Sequence, residues 1–559
     1  MLMKKIDLRK DGSLSVPDSK RITLLAKQVA LEYNDYILQV IRSNDVEGFT
    51  SLLSVVCRNT YVSLIYDRMC RLALLEDRLK SGELFISVTL DSYTMTEPVE
   101  QLLKRYDSKA VIIVSNVPCS RRFASMYTFF SLLKTMYKCV NLWGWSRLVK
   151  CRKHPVGSIY ILDTFIFKNS IDSTLMFNDR YYNGLIENID ISTRERTWYI
   201  PTLFGFRYPW EWMRLFARVS KSGHNIFLKE HWLRVSDYFF SIWKSLILGR
   251  SIRQFPSWRG LDISCLVKEE VTIERGSFSL TQSLLIYRFF MRLKSNGVEI
   301  DGVIDWFENQ NVDRALCLGI RAFYPETKIK GYIGFVPQEF YLGMFPVGYE
   351  FTGGVLPDEI MVIGNVFVPQ IKKFFPELNV SVAPAFRFQN IISDSINKKS
   401  DNKIILLAMP MILSEAKMIV RLARNVRCDT NFRWIIKIHP TVSRKVFQHM
   451  VPDSLDMKFE FTEEVMPTLL QRTHLLISSA SSVTLEAVVH RVPVVILGSR
   501  SGPTNNPLED IVDNAYWSIC YTCEDLVSAI HQDIIGGPLG VAEYFSEITS
   551  MNVKKMMSF

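Results

Sequence analysis

The chain has no uncharged apolar run near the ~20 residues that a membrane-crossing helix needs. The longest, such as residues 404–413, has the length of a buried strand. The first fifteen residues are charged and lack an apolar core, which speaks against a secretory leader. Ten cysteines are scattered along the chain and make no disulfide framework. The one close pair, Cys520 and Cys523, has no second pair to complete a zinc site, so two ordinary thiols in a reducing cytoplasm are expected. Asp-x-Asp, the common holder of a divalent ion beside a diphosphate, occurs nowhere in the 559 residues. Internal repeats, low-complexity segments and helix-turn-helix or finger patterns are also missing, and no nucleic-acid partner is expected.

What is present is a globular balance, 48% hydrophobic and 22% charged, on a length that implies two or three domains. The net charge of +10 predicts an anionic partner: a nucleotide, a phosphorylated lipid or a membrane surface. Residues 18–42 and 52–80 carry apolar positions at three- and four-residue spacing, which predicts a helical N-terminal extension over 1–80. Apolar runs near 84–90, 110–115 and 159–166 predict strands separated by helices, the alternation of a parallel α/β domain. The aromatic-rich stretch 170–300 gives no clear order. Strands are expected again at 303–307, 328–335 and 359–363, with a helix at 312–323. Polar residues 392–402 predict a linker between a first lobe, 81–391, and a second, 403–559, with strands expected at 403–409, 434–438, 458–461, 475–478 and 492–497 and helices at 414–424, 466–471 and 483–489.

In an open parallel sheet, ligands bind beyond the carboxyl ends of the strands. Two segments of the second lobe put polar groups there. Ile435-Ile-Lys437-Ile-His439-Pro440 delivers His439 at a strand tip, with Lys437 two residues earlier on the same face. Leu475-Leu-Ile-Ser478-Ser479-Ala-Ser481-Ser482-Val-Thr484-Leu-Glu486 ends a strand in a hydroxyl-rich turn that opens a helix. Free N–H groups at such a turn attract an anion, and Glu486, one turn further on, suits a ribose hydroxyl. The plain alternatives are that the serines only cap the helix and that His439 is a structural hydrogen-bonder. A third strand of this lobe ends in Gly498-Ser-Arg500-Ser501-Gly502, while His154-Pro155 follows no apolar strand and reads as a decoy.

The combination KIHP, SSASSVTLEA and VPVVILG resembles the C-terminal lobe of GT-B glycosyltransferases that use CMP-activated acidic sugars, namely bacterial sialyltransferases, polysialyltransferases and the Kdo transferases of capsule and O-antigen assembly. A second stretch, from Trp306 through Arg314 and Gly331 to Asn365, resembles surface-carbohydrate biosynthesis proteins of the same type, so the likeness covers about residues 300–510. It implies a GT-B-like α/β fold with two Rossmann-like lobes facing a cleft, an acceptor-binding first lobe and a nucleotide-sugar-binding second lobe. By the same resemblance His439, Ser481 and Ser482, with Ser478 and Ser479, hold the phosphate of a CMP leaving group. The implied reaction is an inverting, metal-independent glycosyl transfer from a CMP-sugar, with no further cofactor, to a surface polysaccharide or lipid-linked glycan.

The related enzymes carry an acidic pair before a glycine at the end of a first-lobe strand. Here that position reads Glu308-Asn309-Gln310, and the near match Glu299-Ile-Asp301-Gly302 precedes the expected strand. Glu308 is therefore the expected general base, with Asp305 as second choice; the alternative is that Glu308 caps the following helix. The segment Trp143-Gly-Trp145 through His154 combines aromatic and basic residues, suited to peripheral contact with the inner face of a cytoplasmic membrane; a solvated face is the alternative. Two other functions compete: a CDP-polyol phosphotransferase of the teichoic-acid type, and a catalytically inactive scaffold in polysaccharide assembly.

Overall fold

A computed structural model describes residues 4–44, 46, 48–115, 124–150, 153–393, 404–426, 432–456, 459–531 and 540–559. Residues 394–403, most of the expected linker, lie outside the described residues.

The N-terminal region folds as an α/β unit. Strands β1 (Lys4–Asp7), β2 (Phe85–Leu90) and β3 (Val111–Val114) form a parallel sheet in that order. Helices α1 (Val16–Ser43) and α2 (Ile65–Lys80) connect the first two strands, and α3 (Thr96–Arg105) the next two. At the start of α1 the Ser15 Oγ accepts a bond from the Asp18 N–H at 3.2 Å, and Pro17 sits in the first turn, where its missing N–H costs nothing. Ile22, Ala26, Val29, Tyr33, Ile37 and Val40 recur at three- and four-residue spacing and are buried. The helical stretch expected at 1–80 thus also contains a strand, and β1 pairs with β2 across residue 80. The helix expected from 52 begins only at Ile65, after a short 3₁₀ turn at Gly48–Leu52.

The first lobe is a six-stranded parallel sheet. Its strands are β4 (Ser158–Ile166), β5 (Thr197–Leu203), β6 (Glu299–Trp306), β7 (Lys328–Ile333), β8 (Glu359–Val362) and β9 (Val380–Val382), in the order β5-β4-β6-β7-β8-β9. Helix α4 (Ala124–Leu148) precedes it. The second lobe has β10 (Ile404–Ala408), β11 (Arg433–Lys437), β12 (Phe459–Phe461), β13 (Thr473–Ser478), β14 (Val494–Leu497) and β15 (Trp517–Cys520), in the order β12-β11-β10-β13-β14-β15. Central strands such as β10 are buried along their whole length, as a parallel sheet covered on both faces requires. The strand order reverses between β4 and β6 in the first lobe and between β10 and β13 in the second. These reversals open the crevices where ligands bind in doubly wound sheets.

β6 begins at Glu299, four residues before the expected start. Glu299 and Asp301 therefore lie at the amino end of the sheet, far from the crevice, where Lys294 pairs with Glu299 at 3.0 Å and Arg196 pairs with Asp301. The last residues return to the first lobe. The N–H of Ser546 donates to the Ile363 carbonyl at 2.7 Å, and the Lys330 ammonium donates to the carbonyls of Met556, at 3.2 Å, and Ser558. The Phe559 ring lies where Gly302 has no side chain, 2.3 Å from where a Cβ would stand.

A buried ionic knot joins the N-terminal unit to the first lobe. Glu350, fully buried, pairs with Arg58 at 3.1 Å and with Arg314, both also buried. Arg58 further donates to the carbonyls of Leu342 and Phe345 at 3.0 and 2.8 Å. Arg314 donates to the Ser51 carbonyl at 3.2 Å and to the Asn309 Oδ1 at 3.0 Å. Removing one partner of a buried pair leaves uncompensated charge and costs about 3–5 kcal/mol. Glu350→Ala is thus expected to lower the unfolding free energy by about that amount in urea titration; wild-type stability in the variant would show the knot to be energetically idle.

Candidate functional site

In the second lobe the crevice between β10 and β13 is closed at its base by Ser478, whose buried Oγ donates to the Ala408 carbonyl at 3.0 Å. Ser478 is thereby spent on joining the two strand ends and does not face a ligand, contrary to the expectation for it. Thr484 is also turned inward, buried, its Oγ1 bonded to the Ser481 carbonyl at 2.7 Å. Ser479 is buried beside the Glu415 carboxyl, which burial holds above its usual range. Ser481 and Ser482 remain half-open, and the backbone N–H groups of Ala480, Ser481 and Ser482 have no hydrogen-bond partner among the described residues. A run of unpaired, outward N–H groups is a seat for an anion.

His439 follows β11 and is half-buried. The Thr441 N–H donates to its Nδ1 at 3.3 Å, and the Thr441 hydroxyl lies 2.7 Å from the same nitrogen. That pattern assigns the proton to Nε2, which is left as a donor. Burial, with a smaller contribution from Arg387, holds the imidazole below its usual range, so it is neutral at neutral pH. Lys437, at the end of β11, is half-buried. Glu486 sits one turn into the helix Val483–Val489, and burial pushes its carboxyl up to about 7.

In the first lobe Glu308 follows β6 at the carboxyl edge, beside the reversal. Its Oε1 accepts from the Trp306 indole N–H at 3.0 Å and its Oε2 from the Gln310 amide at 2.5 Å. The Trp306 ring lies against Gly334, where a Cβ would stand 2.4 Å from it, and stacks with Phe335 at 5.9 Å. Glu308 does not cap the next helix, Asn311–Phe323. Asp313 does so, accepting from the N–H groups of Glu308 at 3.0 Å and Gln310 at 2.8 Å. Burial raises the Glu308 carboxyl above its usual range, against the opposing bonds from Trp306 and Gln310 and the charge of Arg387. It lines a cavity of about 630 Å³ walled by Phe165, Phe167, Phe204, Lys134, Lys138 and Lys229. A larger hollow, about 1040 Å³, lies away from this chemistry between α1 and residues 347–355.

Asp305, the second choice for base, is fully buried within β6 and unsuited to meet an acceptor. It belongs to a trio with Asp163 and Asp313 whose oxygens lie within 4.8 Å of one another, a spacing that fits shared protons or a cation. Both oxygens of Asp305 lack a hydrogen-bond partner, and burial followed by the neighbouring carboxylates raises Asp305 and Asp163 well above the usual range.

Arg387, unmarked by any motif, connects the two sides. It is exposed on the 3₁₀ turn Phe386–Phe388, with its guanidinium 6.0 Å from the centre of the Trp306 ring. Its charge is felt by Glu308 of the first lobe and by His439 and Glu486 of the second. Gln338 of the first lobe reaches the Ala480 carbonyl of the serine turn at 3.5 Å. The structure thus gathers Glu308, His439, Glu486 and the serine turn about one cleft and turns Ser478, Thr484 and Asp305 away from it. The Gly498–Gly502 loop is instead held by the N-terminal unit, Arg500 donating to the Leu14 carbonyl at 2.6 Å. Trp143 and Trp145 of the expected membrane segment pack inward against the cores, and Cys151 and Arg152 lie outside the described residues.

Two parallel doubly wound lobes facing a cleft define a GT-B-like α/β protein. Solved structures of similar arrangement include Staphylococcus aureus MnaA with UDP, at 11% identity over 71% of this chain and 94% of its own, with a TM-score of 0.39. The calicheamicin glycosyltransferase CalG4 is 14% identical over 72% of this chain and 94% of its own, with a TM-score of 0.37. The UDP-GlcNAc 2-epimerase of Methanocaldococcus jannaschii is 12% identical over 72% and 99%, with a TM-score of 0.36. No family model and no curated protein matches the chain.

The acidic trio sets a pH dependence. A carboxyl whose folded pKa exceeds its unfolded value binds more protons in the folded state, so stability falls as pH rises from the unfolded value of about 4 through the folded one. Asp305→Asn removes one such group while leaving an amide that donates to its acidic neighbours. The wild type is expected to lose more melting temperature than Asp305→Asn between about pH 5 and pH 8, the range over which raised carboxyls titrate. Equal losses would show that Asp305 does not titrate abnormally.

Proposed function

We propose that the chain is a glycosyltransferase that moves an acidic sugar, of the nonulosonate or Kdo type, from a CMP-sugar to a hydroxyl of a surface polysaccharide or lipid-linked glycan. The observation that carries this reading is the facing pair of half-sites: a raised carboxyl, Glu308, at one crevice, and a neutral histidine beside unpaired N–H groups at the other, with Arg387 between.

The acceptor hydroxyl gives its proton to Glu308 while its oxygen attacks the anomeric carbon, and the bond from that carbon to the phosphate oxygen breaks. One inverting displacement follows, with the proton held on Glu308. The leaving phosphate gains charge as the bond lengthens. In this reading His439 Nε2–H, the N–H groups of Ala480–Ser482 and the Arg387 cation stabilise it, and the turn is preorganised because its backbone is already fixed. A monophosphate needs less charge compensation than a diphosphate, which agrees with a chain that carries no Asp-x-Asp. Glu486 suits the ribose hydroxyls and Lys437 a second phosphate contact. The aromatic walls of the Glu308 cavity suit sugar rings, and Lys134 and Lys138 an acceptor that bears negative charge, Lys229 being paired with Glu230. A cytoplasmic location, where nucleotide-sugars and free thiols coexist, belongs to the same reading.

Ligand that binds only the folded protein stabilises it by mass action, about 2.7 kcal/mol at a hundredfold excess over Kd. CMP is expected to raise the melting temperature more than UDP or GDP, with the effect kept in EDTA and lost in a folded His439→Ala variant. A preference for UDP, or strict dependence on a divalent ion, would overturn the CMP assignment while leaving the two-lobe site intact.

A general base contributes about 10²–10⁴-fold to rate and little to donor affinity. Glu308→Gln keeps the bonds to Trp306 or Gln310 but does not accept a proton, so transfer is expected to fall at least about a hundredfold with CMP binding unchanged. Transfer at the wild-type rate would move the base elsewhere.

A further inference from the structure

Helix α4 is turned inside out. Its inward positions are Thr135, Cys139, Leu142 and Ser146, mostly small or polar, and they pack on helices Pro209–Ser222, Val235–Ile247, Ser264–Glu274 and Phe278–Ser295. Its outward positions are Phe129, Phe130, Leu133, Met136, Tyr137 and Val140, each 45 to 65% exposed. These recur at three- and four-residue spacing and make one continuous stripe. Two flanking helices also turn large apolar residues outward, Trp210 and Met213 on one, Phe239 and Trp243 on the other. Apolar surface concentrated in this way on a soluble-sized domain marks an interaction site.

Charge identifies the partner. Residues 108–162 contain no Asp or Glu and nine Lys or Arg, in a chain where acids otherwise occur about once in ten residues. Lys134 is exposed within the stripe, and Arg147, Lys150 and Lys153 are exposed at or just beyond its C-terminal end. An aromatic and aliphatic stripe on a helix that carries cations and no acid matches an anionic lipid surface, in which such a helix lies parallel to the plane at the headgroup boundary. No described helix is long and apolar enough to cross a membrane, so contact is limited to that boundary.

We propose that α4 is a membrane-docking helix that seats the first lobe on an anionic bilayer. The flank of α4 next to the stripe, Ser131, Lys134, Thr135 and Lys138, is one wall of the cavity that holds Glu308. Docking therefore brings the mouth of that cavity to the lipid surface, where an acceptor carried on a lipid phosphate meets Lys134 and Lys138. The docking rests on α4 alone; only the delivery of acceptor rests on the glycosyl-transfer reading.

Flotation of the full-length protein with phosphatidylcholine vesicles, with and without phosphatidylglycerol, tests the docking without any assay of transfer. The wild type is expected to float with the anionic vesicles and to be released by high salt. Phe129→Ser combined with Phe130→Ser and Val140→Ser removes exposed side chains only. It should keep the melting temperature and weaken vesicle binding at least about tenfold. Lys150→Ala, outside the apolar stripe, should weaken it about fivefold. Failure of the wild type to bind anionic vesicles overturns the proposal, and so does undiminished binding by the triple variant. A solution dimer that the triple variant splits into monomers would make the stripe an interface between copies instead, and equally overturns it.

Discussion

Glu350 holds two arginines from different parts of the chain inside the protein, and the position of Glu308 depends on that contact. Arg58 comes from the loop between α1 and α2, and Arg314 from the helix after β6. Arg314 also binds the side chain of Asn309, whose amide donates to the Gly343 carbonyl at 2.7 Å and whose backbone takes the left-handed conformation, φ 54°. Asparagine is among the few side chains that adopt this conformation readily. The chain turns sharply there, directly after Glu308, and the turn aims that carboxyl at the cleft. Replacing a buried ion pair with apolar groups is often neutral, but this one fixes a backbone turn that no apolar packing would specify.

The same N-terminal unit reaches the second lobe. Leu14 exchanges bonds with Arg500, the Thr504 N–H donates to the Thr23 Oγ1 at 3.0 Å, and Lys27 pairs with Glu509. Residues 4–114 therefore brace both lobes at once: the ionic knot on one side and the loop after β14 on the other. The C-terminal return, with Lys330 gripping the last carbonyls, is a second tie on the first lobe. A cleft whose two walls share these ties has its half-sites set against each other before any ligand arrives. Preorganisation of that kind is what electrostatic stabilisation of a leaving group requires.

The two crevices use their polar groups differently. The second lobe offers neutral donors, His439 and backbone N–H groups, suited to an incoming anion. The first lobe offers carboxyl groups that burial raises, with Glu308 at the cavity wall and the trio of Asp163, Asp305 and Asp313 buried behind it. Arg387, from the segment that leaves β9, stands between the two sets.

The sequence by itself determined the parts that local physics decides. Apolar runs of strand length located β2–β4, β6–β8 and β10–β14, because a parallel strand buried on both faces must be apolar throughout. The hydroxyl-rich turn after β13, His439 after β11 and Glu308 after β6 were legible because each ends such a run. Tertiary structure alone decided which of their side chains face the cleft. Ser478 and Ser481 differ by three residues of one serine-rich turn, yet one bonds inward to Ala408 and the other stays open. Charged β1 is a strand only because β2 lies beside it, and Arg387 belongs to the cleft only because the chain happens to cross there. The apolar face of α4 was hidden from the sequence for a related reason. Period alone shows that a helix has two faces, and only packing tells which of them the protein covers.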